Sequence, residues 1–408
     1  TGTQLNKTQL DSLFTTSKLL VDTAPFYDND TAPMSMGINS YTRSAESYTE
    51  QNNFRNNQTE IAALLDNYAS LDAPTRQLLH NINNQQELES LITSLLAPEL
   101  AADSMQLALS SPYFHVFNHL EKIAGNFTTG NLNDNLYRGQ SPCLPTSKWS
   151  KREFWFEGYY RNENVDDDSN ALGYKTTGGG IMVGVDQKFS NKFIGGLVFG
   201  YGNPRSSNGI GRIESDDFTF AVYARTKIDS FIANTFLGYG HQNYDLRNGT
   251  NKAEYNGDSV YVSIEFLKPL HLQSGIVLSP LAAIDIQKVW ADGVTIPNAI
   301  TPINISSRTL DQTILRFGIN SNYQNLRTKL QYGYQIGGDS FASSKVSFVG
   351  GTTNRVLTGV NLGRHNFNAG LGGDFKIGKR TSLFVDYDFD LGERATAHTG
   401  QVGAVVRF

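Results

Sequence analysis

The spacing of apolar residues divides the chain into two parts. From about residue 46 to 125, apolar residues recur with helical spacing, as in "TEIAALLDNY", where Ile61, Leu64 and Leu65 share one stripe. From residue 151 to the end of the chain, apolar and polar residues alternate with a period of two. The pattern therefore predicts an α-helical segment followed by a β domain.

The β part contains twelve candidate strands, from "REFWFEGYYRNE" to "GQVGAVVRF". Short turns such as Ser190-Asn191 and Asp229-Ser230 interleave with longer polar loops, the longest of which run roughly over 291–306 and 339–363. Short turns on one rim and long loops on the other are typical of closed outer-membrane barrels. The fold class predicted is mainly β: a twelve-stranded antiparallel transmembrane β-barrel preceded by an α-helical segment, whose last helix is expected in the pore.

The two faces of each strand differ in the same way along the whole β part. In "SLFVDYDFDL" one face is apolar and aromatic, and the other carries three aspartates. A soluble sandwich or propeller would alternate too, but repetition over twelve strands with aromatics near the strand ends favours lipid outside. The polar face then lines a lumen. We expect the lumen-lining residues to include Glu157, Tyr159, Arg161, Arg225, Glu265, Asp285, Arg316, Gln331, Asp374, Asp386, Asp388 and Asp390.

Composition excludes several classes of protein. The mean hydropathy is −0.35 and no stretch approaches the ~20 apolar residues of a membrane helix, whereas a spanning strand needs only ~9–11 residues. The net charge of −5 gives no argument for nucleic-acid binding. Cys143 is the single cysteine and cannot form an intrachain disulfide. His115 and His119 have a zinc-binding spacing but lack a third ligand, so we predict no metal and no cofactor.

The same pattern suggests domain boundaries. Residues 1–45 are polar and irregular, and we interpret them as a tail or the remnant of a larger segment. The helical segment covers 46–126, the linker 127–150 and the barrel 151–408. A helix over 112–124 would be about 20 Å long, most of the ~25 Å apolar band of a barrel, and is expected to fill the pore.

The order of these segments resembles the C-terminal translocator unit of monomeric (type V) autotransporters, over roughly residues 46–408. The matching features are the Asn57-Gln58 start of the helical stretch, the aromatic and glycine-rich strand Phe154 to Tyr160, and a final strand ending in Phe408. The resemblance implies an outer-membrane translocator and anchor in a Gram-negative bacterium. Such a unit exports its own N-terminal passenger to the cell surface, where the N-terminal part is exposed.

The resemblance also implies partners. The barrel assembly machinery is expected to recognise the last strand, through Val402, Ala404, Val406 and Phe408. The other expected partners are outer-membrane lipid and the chain's own passenger segment, with a monomeric barrel and no nucleic acid. No long repetitive passenger precedes residue 46, so we expect a truncated or processed form. The pattern leaves open where residues 58–100 pack.

Two other functions stay open at this stage. A diffusion porin would have an open lumen, although a porin needs no upstream helices. A barrel protease or lipase would have catalytic residues at the outer rim, where His241, Asp245 and Asp258 lie without diagnostic spacing. We expect no enzymatic activity, apart from one candidate for self-cleavage inside the pore. That candidate is Asn126, with Asn118 nearby and a lumen carboxylate as the assisting group.

Overall fold

The computed structural model describes residues 22–26, 37–42, 55–69, 85–109, 116, 119, 120, 152–297, 302–378 and 380–408. The predicted linker 127–150 and the self-cleavage candidates Asn118 and Asn126 lie outside the described residues. Two short strands, β1 (Asp22–Phe26) and β2 (Gly37–Thr42), pair antiparallel near the N-terminus.

Twelve strands close into a barrel, as the sequence predicts. Neighbours in sequence pair antiparallel throughout, and the cylinder closes where the last strand pairs with the first, His398 lying opposite Asn162. The barrel strands are β3 (Arg152–Val165), β4 (Tyr174–Lys188), β5 (Phe193–Ser207), β6 (Arg212–Ile228), β7 (Phe231–Asn248), β8 (Asn251–Leu267), β10 (Val277–Ala291), β13 (Arg308–Tyr323), β14 (Leu326–Gly338), β17 (His365–Lys376), β18 (Thr381–Gly392) and β19 (Ala395–Arg407).

The outer face of the barrel is apolar and the inner face is largely polar. On β18, Leu383, Val385 and Tyr387 are exposed, whereas Asp386 and Asp388 are buried inside the cylinder. A protein surrounded by water would place these two sets the other way round, because exposed apolar surface is unfavourable in water. Aromatic residues near the strand ends are exposed on the outside, namely Phe154, Phe156, Tyr160, Phe193, Tyr201, Phe231, Tyr239, Phe375 and Phe408. The barrel surface is therefore suited to lipid.

The two rims of the barrel differ. The turn rim, which includes Arg152 and Phe408, has the connections 189–192, 229–230, 268–276 with the two-residue strand β9 (Leu270–His271), 324–325 and 377–380. The loop rim has the connections 166–173, 208–211, 249–250, 292–307, 339–364 and 393–394. Three loop-rim connections are as short as the turns, so length is concentrated in 292–307 and 339–364.

The two long connections are not irregular loops. They fold together into a four-stranded antiparallel sheet, here called the loop sheet, in the order β11, β12, β15, β16. Its strands are β11 (Val294–Ile296), β12 (Ile303–Ile305), β15 (Ser343–Phe348) and β16 (Arg355–Thr358). Ile303, Val346 and Phe348 are buried on one side of this sheet. The sequence-based expectation of polar loops in these two regions is therefore wrong.

Three helices are described in full ahead of the barrel, in the segment where the apolar spacing predicts helices: α1 (Asn56–Ala69), α2 (Gln85–Ser94) and α3 (Ala97–Leu109). At the start of α1, the Gln58 side chain accepts a hydrogen bond from the backbone N–H of Arg55 at 3.0 Å. This bond satisfies a donor that the first helical turn leaves unpaired. None of the described helices has the length and apolar character needed to cross a membrane.

Candidate functional site: the occupied lumen

The three helices fill the mouth of the barrel at the loop rim. Their apolar stripes form one buried cluster with the barrel wall and the loop sheet. Ile61, Leu65 and Leu100 of the helices pack in this cluster with Tyr244 of β7 and Phe348 of β15. We call the helices α1 to α3 together with the loop sheet the outer cap. Because burying apolar surface is the dominant favourable term in packing, the outer cap is a stably seated lid.

Asn57 joins the helices to the loop sheet. Its Nδ2 donates to the carbonyl of Thr358 at 2.7 Å and to Glu99 Oε2 at 2.8 Å, while its Oδ1 accepts the N–H of Thr358 at 3.0 Å. Thr358 is the last residue of β16, an edge strand of the loop sheet. The amide therefore replaces the strand that would otherwise pair with this edge. This contact gives a structural role to the Asn-Gln pair that the sequence singles out.

Two buried carboxylates of α3 hold the neighbouring loops. Glu99 Oε1 accepts the backbone N–H of Leu172 at 2.7 Å, and Asp103 Oδ1 accepts that of Val360 at 3.2 Å. Burial raises the pKa of Glu99 from 4.5 to about 7, although Asn57 and Leu172 oppose the shift. Burial, with the charge of Glu99 beside it, raises the pKa of Asp103 well above its ordinary range. The outer cap thus docks most favourably when these groups are neutral.

Further polar contacts fix α3 against the barrel wall. Arg308 of β13 donates from Nε to the carbonyl of Ala101 at 3.1 Å, and its guanidinium lies 4.7 Å from the ring centre of Tyr255. The hydroxyls of Ser104 and Tyr255 are 2.8 Å apart. Gln106 accepts a hydrogen bond from the hydroxyl of Tyr174 at 2.5 Å. The middle of α3, from Ala101 to Gln106, is therefore tied to the inner surface of the barrel.

Three described residues downstream of the outer cap lie inside the lumen. Of residues 110–151, the structure describes Val116, His119 and Leu120, which are helical and buried; we call these three residues the pore segment. Val116 and Leu120 pack in a second apolar cluster with inward-facing residues of the barrel. The barrel members of this cluster are Trp155, Met182, Ile194, Val198, Ala221, Tyr223, Ile232, Phe236, Tyr261, Leu267, Leu281, Phe384 and Val405.

This second cluster changes the sequence-based picture of a wet, charged interior. Trp155, Ile194 and Leu267 lie near strand ends at the turn rim, so the lumen is apolar there. If the lumen served only for passage of the upstream chain, burying apolar side chains of that chain would hinder its movement. The apolar lining instead retains Val116 and Leu120.

His119 occupies a pocket formed by Trp155, Asp186 and Tyr223, which we call the histidine seat. The imidazole Nε2 lies 2.6 Å from Asp186 Oδ2, and the ring stacks on Trp155 with centroids 4.3 Å apart. The Tyr223 hydroxyl donates to the other oxygen of Asp186 and accepts from Trp155 Nε1 at 2.8 Å. All four side chains are buried. Because Nε2 of His119 is bonded to Asp186, the seat uses the imidazole as a donor to a carboxylate rather than as a metal ligand.

A belt of buried polar groups runs along the inner face of the barrel wall, starting at the pore segment. Arg225 donates to the carbonyl of Leu120 at 2.7 Å and to Asn234 at 3.2 Å, and Asn234 donates to Glu265 at 2.8 Å. Glu265 pairs with Arg316 at 2.9 Å. Arg316 also contacts Asp285 at 3.0 Å and Gln331 at 3.0 Å. Such buried charges are tolerated because each has several partners.

A ladder of ion pairs lines the adjoining wall. Asp388 pairs with Lys329 at 2.8 Å, and Asp390 pairs with Arg161 at 2.8 Å. Arg327 contacts both Asp374 and Asp386. Between this ladder, the polar belt and Gln106 of α3 lies a cavity of about 150 Å³, lined by Arg161, Glu163, Asp285, Gln287, Arg316, Asn368 and Asp390 among others. The aspartates of β18 thus neutralise cations of β14 and β3, which lie two strands away on either side.

The structure places all twelve residues expected in the lumen on the inner face of the strands. Glu157 and Glu265 are fully buried there, while Tyr159 and Arg161 are partly accessible. Val402, with 57% exposure, and Phe408, with 62%, face outward, and Ala404 and Val406 share their face of β19 with intermediate exposure. Outside the barrel, His241 Nδ1 lies 2.9 Å from Asp258, whereas Asp245 pairs with Arg247 at 2.7 Å. These three residues therefore do not form one cluster.

The spacing of residues in the sequence does not point to the outer cap carboxylates or to the aromatic members of the histidine seat. One signal for the seat was present: Phe154, Trp155 and Phe156 are consecutive, and alternation along a strand must turn the middle one inward. Glu99 and Asp103 carry no such signal, because their burial depends on contacts with residues 172 and 360.

The fold and the occupied lumen define the class of protein: a membrane β-barrel that encloses part of its own upstream chain. Residues 154–388 match the family described as autotransporter beta-domain. The chain belongs to this family and is an outer-membrane translocator barrel.

Solved structures with the same architecture include the translocator domain of the autotransporter NalP from Neisseria meningitidis. It is 13% identical, with a TM-score of 0.55, covering 76% of this chain and 99% of that chain. The beta domain of the Bordetella autotransporter BrkA is 16% identical over 63% of this chain and 100% of that chain, with a TM-score of 0.43. The transport unit of AIDA-I from Escherichia coli is 15% identical over 71% and 97%, with a TM-score of 0.42. A search among curated proteins found no match.

Proposed function

We propose that this barrel exports its own upstream chain to the cell surface and then keeps the lumen closed with the pore segment and the outer cap. The observation that carries the proposal is the path of the chain. Arg55 and Asn56 lie at the loop rim, where the backbone N–H of Asn56 donates to Ser169 at 3.0 Å. His119 lies near the turn rim, and β3 begins at that rim. The described residues of the upstream chain thus extend from His119 near the turn rim to Asn56 at the loop rim.

This path has a direction in the membrane. Barrels of the outer membrane have short turns on the periplasmic side and longer loops outside. With that orientation, the outer cap and everything upstream of residue 55 are on the cell surface. We therefore assign 46–126 to the cap and pore, 127–150 to the periplasmic link, 151–408 to the translocator, and 1–45 to the surface-exposed remainder.

Partners follow from the outer face. The apolar band of exposed side chains contacts outer-membrane lipid, and the barrel acts as a monomer. Val402, Ala404, Val406 and Phe408 form an outward-facing, largely apolar row on β19, which we assign as the signal read by the barrel assembly machinery. The passenger is the segment of the same chain that lies upstream of α1.

The occupied lumen argues against a diffusion porin, because the apolar clusters at both rims obstruct an aqueous path. Export as proposed needs no catalytic residue in the barrel. Self-cleavage at Asn126 is a separate, testable addition, and replacing Asn126 with Ala would abolish any such cleavage while leaving export unchanged.

Surface labelling of intact cells tests the proposal. An epitope placed before residue 1 should be reached by antibody and by added protease without permeabilisation. A matched epitope inserted in the turn 324–325 should be reached only after permeabilisation. An upstream epitope that stays protected in intact cells, in a correctly assembled barrel, would contradict export.

A further inference from the structure

We propose that the histidine seat selects the register of the exported chain: Trp155, Asp186 and Tyr223 accept His119 and so determine which residue stops in the lumen. This inference rests on the proposed export function and adds a specificity to it. The side chain that stops the chain is a planar ring with an N–H donor.

The barrel part of the seat is built to hold one side chain. Asp186 is fixed by the Tyr223 hydroxyl, which in turn is fixed by the indole N–H of Trp155. The remaining oxygen of Asp186 is the one that contacts His119. Since an unpaired buried carboxylate oxygen is strongly unfavourable, the seat needs a donor from the chain.

The shape of the seat restricts that donor. The imidazole stacks on Trp155 at an interplanar angle of 24° and meets the edge of Tyr223 with ring centroids 6.3 Å apart. An aliphatic side chain could fill the space but would leave Oδ2 of Asp186 without a donor. Nδ1 of His119 has no hydrogen-bond partner among the described residues, so the polar contact of the ring with the seat is made through Nε2.

The other described contacts of the pore segment do not discriminate between registers. Arg225 binds the backbone carbonyl of Leu120, a group present at every residue. Val116 and Leu120 pack in an apolar cluster that other aliphatic residues could also enter. Among the contacts described for this segment, the one between His119 and Asp186 is therefore the one that depends on a particular side chain.

The sequence offers a direct way to test register. A second histidine, His115, stands four residues upstream of His119. Because an α-helix rises ~1.5 Å per residue, seating His115 in place of His119 would displace the chain by about 6 Å, one helical turn. In the variant His119→Ala, the chain should therefore stop with His115 in the seat.

The experiment uses the full chain, assembled in cells that incorporate photo-methionine. Cross-links from Met182 on β4 identify the residues of the upstream chain that lie next to it. Met182 is buried in the same cluster as Val116 and Leu120. In the wild type, cross-links from Met182 should fall on residues around 116 to 120. In His119→Ala they should move four residues upstream, and in the control His115→Ala they should stay in place.

Two further variants separate register from folding. Asp186→Leu, introduced alone or together with His119→Ala, should spread the cross-links over several residues, because the seat then prefers no particular residue. His119→Gln keeps a donor but removes the ring that stacks on Trp155, so its cross-links should also move toward the residues seen in His119→Ala, because His115 then offers both the ring and the donor. Heat-modifiable gel mobility confirms that each barrel is assembled.

An unchanged cross-link pattern in assembled His119→Ala would overturn the register proposal, even with the upstream epitope on the surface. An epitope that never reaches the surface in the wild type would instead overturn the export function. The two failures are therefore distinguishable.

Discussion

The side-chain amide of Asn57 makes both hydrogen bonds that a neighbouring strand would make to Thr358, at 2.7 Å to its carbonyl and 3.0 Å from its N–H. A single residue of α1 thereby pairs with the end of this sheet edge and ties the helices to the loop-rim connections. Unpaired strand edges are prone to pair with other chains. The contact therefore both seats the outer cap and protects the sheet.

Replacing Asn57 with Ala should loosen the outer cap. The change leaves the backbone groups of Thr358 without their partner, and we expect a loss of docking stability of about 1–3 kcal/mol. Hydrogen exchange at Thr358, followed by mass spectrometry, should accelerate. The control Asn243→Ala, at an exposed position on β7, should leave that exchange unchanged. Equal exchange in the two variants would refute the role of Asn57.

Docking of the outer cap should weaken as the pH rises. The pKa of Glu99 is about 7 in the folded protein and 4.5 ordinarily, so the docked state holds a proton that the undocked state releases. The stabilisation is complete below about pH 4.5 and is lost as the pH rises through about 7, by up to about 3 kcal/mol. Asp103 shifts in the same direction.

Protease cleavage within α3 across this pH range measures the effect. Glu99→Gln should make cleavage less dependent on pH, because the amide stays neutral. The matched surface variant Glu254→Gln, on β8, should retain the wild-type profile. Wild-type docking that strengthens from acidic to alkaline pH would show that the buried carboxylates do not control the cap.

Arg316→Met should destabilise the barrel strongly. Glu265 and Asp285 would lose the buried cation that they share, and breaking a buried pair in this way costs about 3–5 kcal/mol. Urea unfolding in detergent, read by heat-modifiable mobility, gives the measurement. Arg205→Met is the control, because the side chain of Arg205 is 51% exposed beside Glu214 and its pair is worth at most about 1 kcal/mol. Similar losses in both variants would argue against the polar belt as a stabilising element.

The free-energy cost of an arginine substitution on the outer face of β19 should depend on how deep the position lies in the membrane. Val402 lies opposite Gly158 in mid-strand, and Val402→Arg should cost about 2–4 kcal/mol in lipid. Thr396→Arg, near the loop rim on the same face, should cost at most about 1 kcal/mol. Folding into lipid vesicles measures both. Equal effects at the two positions would contradict the proposed membrane placement.

The barrel could be predicted from the sequence because its signal is local and repeated. Each strand alternates by itself, so twelve independent patterns agree on one architecture. The loop sheet could not be predicted in this way, since β11 and β12 have three residues each. The formation of strands that short depends on the helices packed against them, and these helices come from distant parts of the chain.

The same distinction explains the candidate site. Polar residues on the inner face follow directly from alternation, as with Asp386, Asp388 and Asp390. Their partners do not, because pairing depends on the register between strands, as between Lys329 and Asp388. The seat for His119 combines residues from β3, β4 and β6 with a residue of the upstream chain. The spacing of residues in the sequence does not show that these four side chains lie together.

The most direct test of the central claim, a barrel closed by its own upstream chain, is ion conductance in planar lipid bilayers. We compare the intact chain with a barrel that lacks residues 1–126. The intact chain should be nearly silent, since apolar clusters block the lumen at both rims, and the shortened barrel should show large, steady openings. Large, steady openings of the intact chain, equal to those of the shortened barrel, would contradict the account.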